Sequence, residues 1–144
     1  MKLFLCEKPS QGSDIARALG LRNRGDGCIS GDGVVVTWCI GHMLQQAKPE
    51  HYVPELTSWA LDLLPVTPVL WHLEITEKLK SQYRIVNNLI LKASEIVIAT
   101  DADREGEVIA REMLELSGYR GPISRLWLKA LDPASVKQGL AKLQ

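Results

Sequence analysis

The spacing of apolar positions changes along this chain and separates strands from helices. Leu3, Phe4, Leu5 and Cys6 form a short unbroken run, which predicts a buried strand. Pro9 and Ser10 follow. Ile15, Ala16, Ala18 and Leu19 then recur at helical spacing up to Gly20, which predicts a helix closed by a glycine. Residues 22–33 are rich in Gly, Asn and Asp and read as loop. Within them, Ser30-Gly31-Asp32-Gly33 separates two β-prone pieces, Cys28-Ile29 and the run from Val34 to Ile40, as in a hairpin.

From residue 41 to about 75 no period holds, and Pro49, Pro54, Pro65 and Pro68 break the pattern. Trp59, Leu61, Leu63, Leu64, Val69, Leu70 and Trp71 nevertheless keep this stretch greasy. A solvated linker has a different composition, so the segment reads as an irregular insertion packed on the domain or on another surface. Helical spacing returns with Leu79, Tyr83, Val86 and Ile90, which makes Tyr83 a core residue. Ile96-Val97-Ile98-Ala99-Thr100 is β-branched and unbroken, the signature of a strand buried on both faces. A helix with Ile109, Met113 and Leu116 on one face follows and ends at Gly118. Pro122 introduces a last strand, Ile123 to Leu128, and Asp132-Pro133 starts a closing helix with Val136, Leu140 and Leu143. Strands alternating with helices predict an α/β fold, a largely parallel sheet covered on both faces. No internal repeat is present.

The chain has 144 residues, 46% of them hydrophobic and 24% charged, which suits one globular domain. Lys plus Arg and Asp plus Glu are both 17, which excludes a strongly basic coat but leaves room for a local basic groove. No apolar run approaches the roughly 18 residues of a membrane span. The N-terminus reaches Glu7 and Lys8 too soon for a secretory signal, so a soluble, cytoplasmic protein is expected. Cys6, Cys28 and Cys39 are too scattered for a zinc site with His42, His51 and His72, and read as free thiols.

Ligands in open α/β sheets bind beyond the carboxyl ends of the strands, and two strand ends here carry polar clusters. One is Glu7-Lys8-Pro9-Ser10; the other is Asp101-Ala102-Asp103-Arg104-Glu105-Gly106-Glu107. Residues 95–115 hold seven acids against Arg104 and Arg111. Acids in a first helical turn are favoured by the macrodipole, so Asp103, Glu105 and Glu107 equally fit plain helix starters. Against that, Asp101 and Asp103 sit two apart where a strand runs out, a spacing that can aim both carboxylates one way. Such a pair wants a cation between its charges, and oxygen ligands without His or Cys suit Mg²⁺. Glu7 adds a carboxylate from another strand end, and Lys8 a point charge suited to phosphate. Together these groups describe phosphoryl-transfer chemistry.

These motifs carry a resemblance. Glu7-Lys8-Pro9-Ser10 after a first strand, Trp38-Cys39-Ile40-Gly41-His42, and Asp101 to Glu107 closely resemble the N-terminal TOPRIM domain of type IA DNA topoisomerases, the topoisomerase III branch above all. Arg125-Leu126-Trp127 and Ala130-Leu131 also fit, so the resemblance covers nearly the whole chain as one domain, 1–144, with its insertion at about 41–75. It implies a Rossmann-like sheet and a bacterial, Mg²⁺-dependent enzyme that acts on single DNA strands through a phosphotyrosine, in the nucleoid or on plasmids. Residue by residue, it implies that Glu7 is the TOPRIM glutamate near the scissile phosphate, an acid or base and a further metal ligand. Lys8 would hold that phosphate, and Asp101, Asp103 and Glu105 would bind Mg²⁺. Arg104, His42 and Ser10 would line the site or touch DNA.

One departure is large. The family's nucleophilic tyrosine lies in a later domain, and Tyr52, Tyr83 and Tyr119 match no such motif. The expectation is therefore a catalytic half-site that neither relaxes DNA nor forms an adduct by itself and works with the remaining domains of a longer protein. A TOPRIM primase or nuclease, or a Mg²⁺-dependent DNA-binding module without turnover, are the alternatives. Gly12 departs from the pattern in the first helical turn but touches no expected ligand. His42 fits a site residue or a satisfied loop histidine, and His51 and His72 read as structural or exposed. Trp38, Trp59, Trp71 and Trp127 could stack on bases, although packing is the default for tryptophan. Arg120, Arg125 and Lys129 either face phosphate or are ordinary solvated cations.

Overall fold

A computed structural model describes residues 1–128 and 130–144; Lys129 lies outside the described residues. The chain opens with strand β1 (Lys2–Cys6) and helix α1 (Pro9–Ala18). Three strands follow: β2 (Asn23–Gly25), β3 (Cys28–Gly31) and β4 (Val34–Trp38). The insertion holds β5 (Leu44–Gln46), one turn of helix α2 (Pro49–Tyr52), two short 3₁₀ turns and β6 (Leu73–Ile75). Then come α3 (Lys80–Lys92), β7 (Glu95–Ile98), α4 (Arg104–Leu116), β8 (Ile123–Arg125) and α5 (Pro133–Leu140).

Six strands form one sheet in the order β2-β3-β4-β1-β7-β8. β4, β1, β7 and β8 run parallel, while β2 and β3 fold back antiparallel at one edge. Alternation along the central strands sends side chains to two cores. Leu3, Leu5, Ile96 and Ile98 meet Tyr83, Val86 and Ile90 of α3 and Ile109, Ala110 and Met113 of α4. Phe4, Cys6, Val97 and Ala99 point the other way, onto Ile15 and Ala16 of α1, with Leu140 of α5 packed alongside. Helices thus cover both faces, as the alternating pattern predicts.

Four differences from the sequence reading have local causes. The hairpin forms across Asp32 (φ 49°) and Gly33 (φ 78°), a left-handed pair whose twist suits a two-residue turn, and it recruits the unforeseen β2 from the loop-like segment. The last strand stops at Arg125 rather than Leu128, although the Leu126 N–H still reaches the Ile98 carbonyl at 2.9 Å. Leu116 is exposed, because Leu114 occupies the inward position at the end of α4. In the insertion β5 and β6 pair antiparallel, clasping a segment whose Trp59, Leu61, Val69 and Leu70 stand largely in solvent. No helix among the described residues is long and apolar enough to cross a membrane.

The topology places the polar clusters together. From β1 the chain winds through α1 to β4 on one side; from β7 it winds through α4 to β8 on the other. The connections diverge between the adjacent strands β1 and β7, and a crevice at their carboxyl ends is the consequence.

Candidate active site

Glu7 and Lys8 occupy the step from β1 into α1. Lys8 is the extended N-cap residue and Pro9 takes the first helical position, where its missing N–H costs nothing. The Gly41 N–H donates to the Glu7 carbonyl at 3.2 Å, so the Trp38–His42 stretch runs on beside this step. Across the crevice β7 continues through Ala99, whose N–H meets the Leu5 carbonyl at 2.8 Å, and delivers Asp101.

Asp101 is the hub of the crevice. Its Oδ2 lies 2.9 Å from Lys8 Nζ and its Oδ1 accepts from Gln11 Nε2 at 2.9 Å. Its backbone N–H points to Glu7 Oε2 at 3.4 Å, and its carbonyl accepts from Arg125 at 2.6 Å. The hydrogen bond to Asp101 and the charge behind it raise the pKa of Lys8 above the ordinary lysine value. Lys8 is therefore a fixed cation at neutral pH.

Asp103 caps α4, its Oδ1 accepting from the Gly106 N–H at 2.8 Å. Glu105 extends from the first turn of α4 toward His42, with 3.8 Å between Oε1 and Nε2, while the other ring nitrogen of His42 lies 3.4 Å from Glu112. His42 thus stands between two acids of α4. Arg104 and Ser10 are both exposed, in the first turns of α4 and α1. Burial pushes the Cys39 thiol up to about 12 and the Cys6 thiol higher still, which removes both as nucleophiles at neutral pH.

The Toprim domain family matches residues 2–131. The chain belongs to the Toprim family. It is 42% identical over 144 residues to a protein of Staphylococcus epidermidis named DNA topoisomerase 3, and 41% identical to the DNA topoisomerase 3 of Bacillus subtilis. Each match takes in 99% of this chain but only 20% of the relative, so the chain spans about one fifth of those proteins. Among solved structures, full-length topoisomerase I of Thermotoga maritima superposes over 96% of the chain and 20% of its own, with a TM-score of 0.61 at 19% identity. That likeness shows the fold.

In this Toprim chain the acidic residues offer hard oxygen donors without thiols, which fits Mg²⁺ by chemistry. Their side chains are engaged elsewhere: Asp101 with Lys8 and Gln11, Asp103 with a backbone N–H, Glu105 toward His42. Among the described residues no three acidic, His or Cys side chains converge closely enough to hold an ion together.

The site also contains residues whose parts in it the sequence reading did not give. Gln11 had no motif to mark it. Arg125, weighed above as a phosphate contact or a solvated cation, is buried; its guanidinium donates to Thr100 Oγ1 and the Asp101 carbonyl, both at 2.6 Å, with Glu107 Oε2 3.5 Å from Nε. Desolvation lowers its pKa, and Glu107, Asp103 and Asp101 oppose that. A signal was present: an arginine inside a predicted strand of a sheet covered on both faces requires partners. Gly12 is the backbone surface on which the Trp38 ring lies, since a Cβ there would enter the ring. Trp38 accordingly packs, whereas Trp59, Trp71 and Trp127 are more than half exposed, and Trp127 lies 5.4 Å from the Arg125 guanidinium.

Proposed function

We propose that this chain is the Toprim half of the active site of a Mg²⁺-dependent type IA DNA topoisomerase, which cuts a single DNA strand through a phosphotyrosine and reseals it. The observation that carries the reading is the meeting of Glu7, Lys8 and Asp101 across the β1–β7 crevice, on a chain about 40% identical to DNA topoisomerase 3 proteins along its length. Lys8 supplies a fixed positive charge for a phosphate oxygen, held toward the crevice by Asp101. Glu7, with Oε2 directed at the Asp101 N–H, leaves its other oxygen to exchange a proton with the departing or returning sugar hydroxyl. Asp101, Asp103 and Glu105 are the residues that would hold Mg²⁺, which when bound offsets charge building up on the phosphate. His42 stands 3.8 Å from Glu105, and Arg104 and Ser10 lie exposed where a DNA backbone would pass. The nucleophilic tyrosine comes from the remaining domains of the longer protein, which together with single-stranded DNA are the expected partners.

The test is covalent-complex trapping in the complete protein. Wild type should form a denaturant-resistant protein–DNA complex that requires Mg²⁺; Glu7→Gln and Lys8→Ala should each reduce it by at least about a hundredfold. Full trapping by both variants would overturn the assignment.

A further inference from the structure

Gln11 is a buried polar side chain in the first turn of α1, only 2% exposed, and both ends of its amide are used. Oε1 accepts the Glu7 N–H at 2.9 Å and Nε2 donates to Asp101 Oδ1 at 2.9 Å. The Glu7 amide fixes the orientation: an N–H can meet only the oxygen, which turns the NH₂ group toward the carboxylate. One side chain therefore spans the crevice from the end of β1 to the end of β7. It holds one Asp101 oxygen while Lys8 holds the other.

The two holds differ in kind. Lys8 reaches Asp101 with a long, half-exposed side chain, an arrangement worth little in rigidity by itself. Gln11 is packed, so it restricts the Asp101 carboxylate to one rotamer, and the carboxylate in turn fixes where the ammonium sits. The neutral amide matters here. A second cation would cancel the charge that holds Lys8, a carboxylate would repel Asp101, and an apolar side chain would strand two polar groups. Asn is one methylene shorter and is too short to span both contacts.

We infer that Gln11 is a positioning residue, which aligns the Lys8 ammonium by fixing the Asp101 carboxylate across the β1–β7 crevice. Its consequence for DNA cleavage rests on the function proposed above; the alignment of Lys8 does not.

Two variants in the complete protein separate the contacts. Gln11→Glu keeps an acceptor for the Glu7 N–H but faces Asp101 with a like charge. Gln11→Met keeps the volume and loses both bonds. Two readouts apply to each: the rate of covalent-complex formation at saturating DNA and Mg²⁺, and the rate at which a small amine-reactive ester acylates Lys8 at about pH 8, mapped by mass spectrometry. Freed from its fixed partner, Lys8 should acylate several-fold faster in Gln11→Met and no faster in Gln11→Glu, whose added carboxylate favours the unreactive ammonium; cleavage should fall about ten- to a hundredfold in both with DNA affinity unchanged. Folding is checked by melting, and Gln11→Met, which buries no charge, is the reference for Gln11→Glu, which buries a carboxylate against Asp101. Unaltered Lys8 acylation in Gln11→Met would overturn the inference whatever cleavage does, as would cleavage that falls only with the unfolded fraction. If the wild type traps no DNA yet Lys8 acylation still rises in Gln11→Met, the alignment stands and the topoisomerase reading fails.

Discussion

Gly106 presses its Cα against the Asp101 carbonyl so closely that a Cβ there would collide with the oxygen. The same residue donates its N–H to Asp103 Oδ1 at 2.8 Å, so α4 begins where backbone meets backbone at the end of β7. Gly106→Ala must therefore shift α4 or Asp101. It should cost about 1–3 kcal/mol in urea unfolding, the usual range for overpacking. DNA cleavage by the complete protein should fall further than stability does, because Asp101 itself is displaced. Unfolding and cleavage both at wild-type level would show that the turn relaxes freely.

Arg125 should prove a structural cation of the site rather than a DNA contact. Arg125→Met removes the donors to Thr100 and the Asp101 carbonyl and leaves Glu107 with Arg111 alone. The expected loss is about 2–3 kcal/mol, since polar groups lose their partners away from water. Arg125→Lys should recover little, because one ammonium cannot reproduce a two-pronged fork. Chemical denaturation measures both. A stable Arg125→Met protein with weakened, salt-dependent DNA binding would instead place the guanidinium on phosphate.

The fold was legible in the sequence where a period or a charge marks it. The order of strands and helices followed from period, because Leu3–Cys6 and Ile96–Thr100 are long enough to declare burial on both faces. The strand ends followed from charge, since Glu7, Lys8 and Asp101 interrupt apolar runs at the places where ligands bind. Gln11 and Gly106 could not be read this way. Their roles come from a contact across 90 residues of chain for the one and a backbone approach for the other, and neither leaves a period. Asp103 was ambiguous for a physical reason: a helix cap and a metal ligand require the same residue at the same turn.

Lys8 should matter to chemistry far more than to folding. Its side chain is 46% exposed and its partner 39%, so the pair adds little stability. Lys8→Ala should leave the melting temperature nearly unchanged while cleavage collapses. The pH dependence has a definite sign. Asp101 raises the folded-state pKa of Lys8, so its contribution is whole below the ordinary lysine value and is lost as pH rises through the folded-state value. Cleavage that relies on Lys8 should then show no loss of its charge between about pH 7 and 9, and decline from that cause only above the ordinary lysine pKa of ~10.4. A single ionisation near pH 8 that disappears in Lys8→Arg would contradict this.

Asp103 offers the sharpest test of the metal assignment, because its two roles respond differently to two substitutions. As the cap of α4 it needs only an oxygen facing the Gly106 N–H, and Asn supplies one nearly as well as Asp. As a Mg²⁺ ligand it needs its charge. Asp103→Asn should therefore keep the stability of the metal-free protein, or raise it slightly by removing repulsion from Asp101 and Glu105. Asp103→Ala should lose about 1 kcal/mol with the cap. Millimolar Mg²⁺ should raise the melting temperature of the wild type against matched ionic strength in NaCl, and if Asp103 binds the ion both variants should lose most of that rise. A Mg²⁺ response kept by Asp103→Asn and by Asp103→Ala would leave Asp103 as a helix cap and nothing more. The metal would then have to rest on Asp101, Glu105 and Glu7, and Glu105→Gln should abolish the response that Asp103→Asn spares.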